Sequence, residues 1–279
     1  MNTLEPRVLS REPMVITSIH SAAIGQDYRL FIALPRGYDK SNQSYPVLYV
    51  LDGHALFLLT REIVELLQIL RVLPDLLLVG ISYPVETHMD TVTLRGRDFT
   101  FNVLSDEAKA GINYPFDETG GGERFLDFLK AELIPHIEGT YRVSPHDRGL
   151  LGQSMGADFG IRAVLREPAL FPLAAFIGPW VDNDEYGILA AEARYATTHR
   201  DLPIRLFLAT EEYFATTEQD KGPAFRDFTG KLRSRDYAGL TLWDRVYEGE
   251  NHVSVIPIAI THALRALYGQ DVTGAWADY

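Results

Sequence analysis

Apolar and polar positions along the chain follow two periods in turn. Short apolar runs bounded by Gly, Pro, Asn or Asp lie at Met14–Ser21, Tyr28–Leu34, Tyr45–Leu51, Asp75–Ile81, Arg148–Leu151, Leu173–Ile177, Ile204–Ala209 and Leu240–Tyr247, and each predicts a strand. Between and after them, helical spacing predicts helices over Phe57–Val72, Glu123–Glu138, Ala157–Arg166, Tyr186–Ala196, Pro223–Tyr237 and Ser254–Leu267. Runs as continuous as Tyr45–Leu51 have no polar face, which predicts strands covered on both sides. The turn Gly25-Gln26-Asp27 joins the first two strands as an antiparallel hairpin at a sheet edge. The alternation after it predicts an α/β fold: a mostly parallel central sheet with helices on both faces. Between Tyr83 and Gly122 the periodicity disappears, so this segment reads as a long loop or cap-like insertion near the strand ends. With no linker, charge block or internal repeat, residues 1–279 read as one domain.

Composition narrows the function. The 279 residues carry 26 Lys+Arg against 38 Asp+Glu, a formal charge of −12, which leaves little with which to neutralise a phosphate backbone; no nucleic-acid partner is expected. Hydrophobic residues make up 46%, enough for a sizeable core. Zero cysteines exclude disulfides, thiolate metal sites and a Cys nucleophile. The N-terminal stretch Met1–Pro13 has no apolar h-region, and no run reaches the roughly 20 apolar residues of a membrane span. A cytoplasmic location is therefore expected, with a periplasmic one left open if a leader was removed; a homodimer also stays open.

The candidate chemistry centres on Gly152-Gln153-Ser154-Met155-Gly156, a G-x-S-x-G pentapeptide entered from an apolar strand and left by a helix. So tight a turn needs small flanking residues, and it presents the Ser154 hydroxyl at the start of a helix. A hydroxyl is a poor nucleophile and requires a base oriented by an acid. His252, in the polar loop Glu248–His252 after the last strand, stands where a doubly wound sheet collects its catalytic loops. His54 also follows a strand end and is its rival. Chain order puts the acid between Ser154 and His252. Thr210-Glu211-Glu212 supplies it, with Glu212 preferred and Glu211 and Asp182 as alternatives. Oxyanion donors are expected from the Met155 N–H and from Gly53 or His54, after the third strand.

These residues bring out a likeness. Tyr45–Gly53, Arg97-Asp98-Phe99-Thr100, Leu133–Glu138, Gly152–Gly156 and Glu250-Asn251-His252 together resemble the putative-esterase branch of the α/β-hydrolases, which includes siderophore trilactone esterases and is related to S-formylglutathione hydrolases. The resemblance implies an α/β-hydrolase fold, Ser154 as nucleophile, His252 as base, and an oxyanion site at Met155 with Gly53 or His54. It further implies that Arg97 and Asp98 line the substrate cleft and that a Ser–His dyad suffices in some members. Trp180, just past a strand end, is a candidate cleft wall, and Arg95 stands beside Arg97 as a candidate for anions.

The expected activity is hydrolysis of small-molecule carboxylic esters by a serine nucleophile through an acyl-enzyme, with no metal and no cofactor. Two alternatives remain: a ferric-siderophore lactone esterase, and a catalytically silent binding protein on the same fold.

Overall fold

The computed structural model describes residues 14–85, 88–111, 116, 118–183, 185–213 and 220–269. Met1–Pro13, read above for a leader, lies outside them. Eight strands form one sheet in the order β1-β2-β4-β3-β5-β6-β7-β8. They are β1 (Met14–Ser21), β2 (Gln26–Ala33), β3 (Tyr45–Val50), β4 (Leu77–Ser82), β5 (Val143–Gln153), β6 (Leu173–Ile177), β7 (Arg205–Tyr213) and β8 (Thr241–Asn251). β1 pairs antiparallel with β2, and β2 with β4; every later pairing is parallel. This is the mostly parallel sheet with an N-terminal hairpin that the hydrophobic pattern predicts. No helix among the described residues is long and apolar enough to cross a membrane.

Two helices, α1 (Gly53–Ile69) and α9 (Val255–Tyr268), cover one face of the sheet. The other face carries α2 (His88–Phe99), α4 (Gly122–Phe128), α5 (Ile134–Thr140), α6 (Met155–Arg166), α7 (Ile188–Thr198) and α8 (Gly222–Ser234); the short α3 (Asp106–Gly111) follows α2 in sequence. A π turn over Leu129–Leu133 joins α4 to α5, so Glu123–Glu138 is one helical stretch with a bulge. The strand order reverses between β4 on one side of β3 and β5 on the other. Such a switch point opens a crevice at the C-terminal strand ends. β3, β5, β7 and β8 deliver Asp52, Ser154, Glu211 and His252 to this sheet end.

The expectation of a loop from Tyr83 to Gly122 is corrected: α2 and α3 occupy it, while residues 86, 87, 112–115 and 117 lie outside the described set. The physical reason is the make-up of the buried face of α2. Val92 and Phe99 are buried there beside Thr91 and Asp98, so no apolar stripe exists to betray the helix. Gly96 adds a position where a Cβ would fall 2.2 Å from the Phe116 ring.

Asp98 is 1% exposed and is met by the Arg97 Nε at 2.7 Å, the Arg97 Nη2 at 3.1 Å and the Tyr28 hydroxyl at 2.6 Å. Tyr28 in turn stacks on Phe128 at 4.5 Å. Burial and the neighbouring Asp98 carboxylate push the Tyr28 phenol well above its ordinary range, so it donates rather than ionises. Arg97 and Asp98, expected to line the substrate cleft, are paired with each other here, tying α2 to β2. Arg97→Ala leaves Asp98 buried without its cation and should cost about 3–5 kcal/mol of stability, read as a lower urea midpoint. Asp98→Asn added to it should recover part of the loss. A midpoint unchanged in Arg97→Ala would mean that the guanidinium does not support this pair.

Candidate active site

The site is built from the turn between β5 and α6. Ser154 sits there with φ 59 and ψ −128, a conformation a non-glycine residue rarely holds. A Cβ on Gly152 would lie 2.3 Å from the Gly156 carbonyl oxygen, which is why only glycine fits two positions before the serine. The Ser154 N–H donates to the Ile177 carbonyl at 2.8 Å, and the Ser154 carbonyl accepts from Ala157 and Asp158 at 2.8 and 3.0 Å. The Met155 N–H is thereby left in the first turn of α6, at the positive end of the helix dipole.

On the neighbouring strand ends, His252 Nδ1 lies 2.8 Å from Glu211 Oε1, and Glu211 is fully buried. The preference for Glu212 is corrected. β7 runs on to Tyr213 rather than stopping at Ala209, so adjacent glutamates point to opposite faces and only Glu211 turns inward. Glu212 instead accepts the Gly249 N–H at 2.8 Å. It thereby pins the β8 irregularity that leads to His252, where Glu211 pairs with Tyr247 but Tyr213 pairs with Asn251. Asp182 is exposed in the loop after β6 and is not brought to His252; its charge is felt at Asp158 and Lys221. Asn251, not His252, organises the start of α9, its Oδ1 accepting the Val253 and Ser254 N–H groups at 3.0 and 3.1 Å.

Gly178 packs against the Glu211–His252 pair. It has φ +62, and a Cβ there would fall 2.9 Å from Glu211 Oε2 and 3.2 Å from His252 Nδ1. Across the elbow, Asp52 takes a left-handed conformation (φ 54, ψ 42) at the end of β3, with Gly53 opening α1. Arg95 grips the Asp52 carboxylate, Nε at 2.7 Å and Nη2 at 3.0 Å, both side chains largely buried. Arg95, a candidate for anions, is thus committed to shaping the turn that carries Gly53 and His54. A Cβ on Gly156 would lie 3.3 Å from Asp52 Oδ2, so the two turns meet. His54 is exposed on the first turn of α1.

Two buried charges escaped the sequence reading as functional candidates. Lys221, just before α8, is 2% exposed, with Nζ 4.0 Å from Glu211 Oε1 and 4.9 Å from the Trp180 ring centroid. Nothing in one dimension marks it, because the contact crosses elements. Asp158 lies one turn along α6 from Ser154, and its Oδ1 accepts the Trp180 N–H at 2.7 Å, holding the loop after β6. An acid amid the apolar residues of α6 was the signal that could have found it. Trp180, expected as a cleft wall, is half-buried between Lys221 and Tyr186.

These surroundings set the charge states. Burial pushes the Glu211 carboxyl up, but the His252 hydrogen bond and charge, a backbone N–H and Lys221 outweigh it and hold it below the ordinary carboxylate range. Burial pushes the Lys221 amine down, opposed in part by Glu211, Asp158 and Asp182. Burial raises Asp158 to about 7, against the Trp180 N–H, Lys221 and Arg95. Among the described residues no His, Asp or Glu cluster has the arrangement of a metal site. A serine at a strand–turn–helix elbow, at the same sheet end as a carboxylate-held imidazole, is equipped for acyl transfer.

Residues 21–267 match the family described as Putative esterase. The ferri-bacillibactin esterase BesA of Bacillus subtilis is 28% identical over 247 residues, covering 85% of this chain and 83% of its own. An IroE-like serine hydrolase from Shewanella oneidensis superposes with a TM-score of 0.75 at 26% identity, over 92% of this chain and 80% of the other. The BES protein from Bacillus cereus shares the fold with a TM-score of 0.77 at 23% identity, over 95% and 99% of the two chains.

The buried Asp158 has a measurable signature. Burial keeps a proton on its carboxyl in the folded state up to about pH 7, whereas in the unfolded chain the group returns to its ordinary value of 3.8. Between those limits the folded state binds more protons, so stability falls as pH rises, on the order of 4 kcal/mol in all. Asp158→Asn keeps an oxygen for the Trp180 N–H and removes the titration. Its decline in unfolding free energy from pH 4.5 to 7.5 should be smaller than that of the wild type; an equal decline would assign the effect to other groups.

Proposed function

This chain belongs to the Putative esterase family and is a carboxylic-ester hydrolase; from that premise we propose that Ser154, His252 and Glu211 are its nucleophile, base and acid. The reading rests on one observation above all: a fully buried Glu211 held 2.8 Å from His252 Nδ1. It lies at the sheet end that bears a serine with φ 59 between strand and helix. Ser154 Oγ attacks the ester carbonyl carbon while His252 Nε2 takes the hydroxyl proton. The oxyanion is met by the Met155 N–H and by the Gly53 or His54 N–H, each such donor being worth about 3 kcal/mol. The C–O bond to the alcohol breaks as His252 returns the proton to the departing oxygen, leaving an acyl-serine. Water then adds to that ester by the same base and regenerates Ser154. Glu211 keeps the imidazole in one tautomer and steadies the imidazolium. The scheme needs no metal or organic cofactor.

A narrower second reading is favoured by the match to a ferri-bacillibactin esterase over most of both chains: lactone esters of a siderophore as substrate. The net charge of −12, and the pairing of Arg95 and Arg97 with Asp52 and Asp98, argue against strongly anionic forms of such a ligand. A panel of short nitrophenyl esters, a thioester and a catecholate trilactone, each with and without iron, separates the two readings. A fluorophosphonate probe tests the silent-scaffold alternative, since it should label the wild type and not Ser154→Ala.

Ser154→Ala and His252→Ala should each lower kcat by several orders of magnitude, and the double variant should lose little more than either. Glu211→Gln should cost about 10⁴-fold, the loss expected when the orienting acid is neutralised. Glu212→Gln retains an acceptor for Gly249 and should cost less than about 10-fold on the same grounds. Steady-state hydrolysis of a nitrophenyl ester reads all four. A crippled Glu212→Gln beside a silent Glu211→Gln would overturn the choice of acid.

A further inference from the structure

Gln153, the x before the serine in the G-x-S-x-G turn, has no part in the mechanism so far, yet its side chain reaches the base. Its Nε2 lies 3.2 Å from the His252 carbonyl oxygen and 3.1 Å from His252 Nε2. A peptide carbonyl only accepts, so the amide group that faces it must be the NH₂. One of that group's hydrogens goes to the carbonyl and the other is directed at the ring nitrogen. His252 Nε2 must therefore present a lone pair. At the far side of the ring, Nδ1 faces the Glu211 carboxylate at 2.8 Å and carries the hydrogen. Both ring nitrogens are thus specified, and the tautomer selected is the one whose Nε2 can accept the serine proton.

We infer that Gln153 is a positioning residue that holds His252 as the neutral base before substrate binds and must release Nε2 when the proton is transferred. The inference rests on the Ser154–His252–Glu211 reading. Once Nε2 bears a proton, the amide N–H and the ring N–H are two donors facing each other, so the contact that favours the neutral ring opposes the imidazolium. The amide can leave Nε2 without leaving the site, because its bond to the His252 carbonyl persists. Glu211 favours the opposite charge state, and the two contacts act on the ring from opposite ends. Charged groups near the ring among the described residues include Lys221 before α8, 4.0 Å from Glu211, with Asp158 on α6 and Asp182 after β6 acting on that lysine. Substitution of Gln153 by an apolar isostere changes none of these charges, so any shift it causes reports the amide.

The test is the pH profile of kcat/KM for the neutral substrate p-nitrophenyl acetate, in wild type, Gln153→Met and Gln153→Glu, with thermal melts of each. Loss of a donor that opposes the imidazolium should move the acidic limb of Gln153→Met to higher pH by about 0.5–1 unit, the shift matching one hydrogen bond. Gln153→Glu, which supplies an acceptor and a negative charge, should move it further. An unmoved limb in Gln153→Met, with or without a uniform loss at every pH, would reduce Gln153 to a structural contact and overturn the inference. Ser154→Ala keeps the two failures apart: if it retains activity the triad reading has failed. If it is inactive while the Gln153→Met limb stays in place, only the role of Gln153 has. Long-range ¹⁵N NMR of His252 in the Ser154→Ala protein gives a readout independent of turnover. It should show the Nδ1–H tautomer in both the Ser154→Ala and the Ser154→Ala/Gln153→Met proteins, with the ring taking up its second proton at higher pH in the latter; the Nε2–H tautomer with Gln153 present would equally overturn the assignment.

Discussion

The backbone of Ser154 is the constraint on which the site depends. A non-glycine residue at φ 59 costs on the order of 1–3 kcal/mol, and such a cost persists only where the surroundings leave the chain no other course. Here they do. β5 is hydrogen-bonded on both sides up to the turn, α6 must start at once, and the Gly152 and Gly156 backbones close to a distance no side chain could share. The strain is held by the sheet and helix together, so the Ser154 hydroxyl is aimed by the rigid part of the fold. The Gly178 backbone, likewise at positive φ, leaves the space in which Glu211 and His252 meet.

Around this turn the protein buries charge in matched groups. Asp52 with Arg95 fixes the turn after β3; Asp98 with Arg97 and Tyr28 fixes α2; Glu211 with His252 and Lys221 lies at the end of β7. A carboxylate taken out of water is costly unless hydrogen bonds or a cation replace its hydration, and each of these groups has such a replacement. Asp158 is the exception, supported by one backbone N–H and by more distant cations, and burial accordingly favours its protonated form. The energetic effect of these charges is largely positional: they hold backbone turns and an imidazole in single orientations.

The two arginines of α2 illustrate how charged side chains near a site can be engaged by partners that the sequence does not announce. Arg95 and Arg97 stand near the strand ends, where an anion-binding role is chemically reasonable. Each instead meets a nearly buried aspartate within 2.7 Å. The same burial hid the helix itself. A pattern reading recognises a helix by its apolar stripe, and this one turns paired polar groups inward. Gln153 is the reverse case, a position passed over as an unspecified letter whose amide spans to a loop 99 residues away in sequence.

The sequence alone determined the strand–helix alternation, the hairpin at the edge, the glycine-flanked serine turn and the histidine loop after the last strand, because each depends on local periodicity or on steric demands a few residues long. Glu211 over Glu212 was out of its reach. That choice turns on where β7 ends: one residue of strand phase sends a side chain to the opposite face, and only pairing with β8 carries the strand to Tyr213. Lys221 beside Glu211, Arg97 on Asp98 and Gln153 on His252 belong to the same class. The energy of each is set by low dielectric and by a partner that packing supplies, and neither exists until the chain has folded.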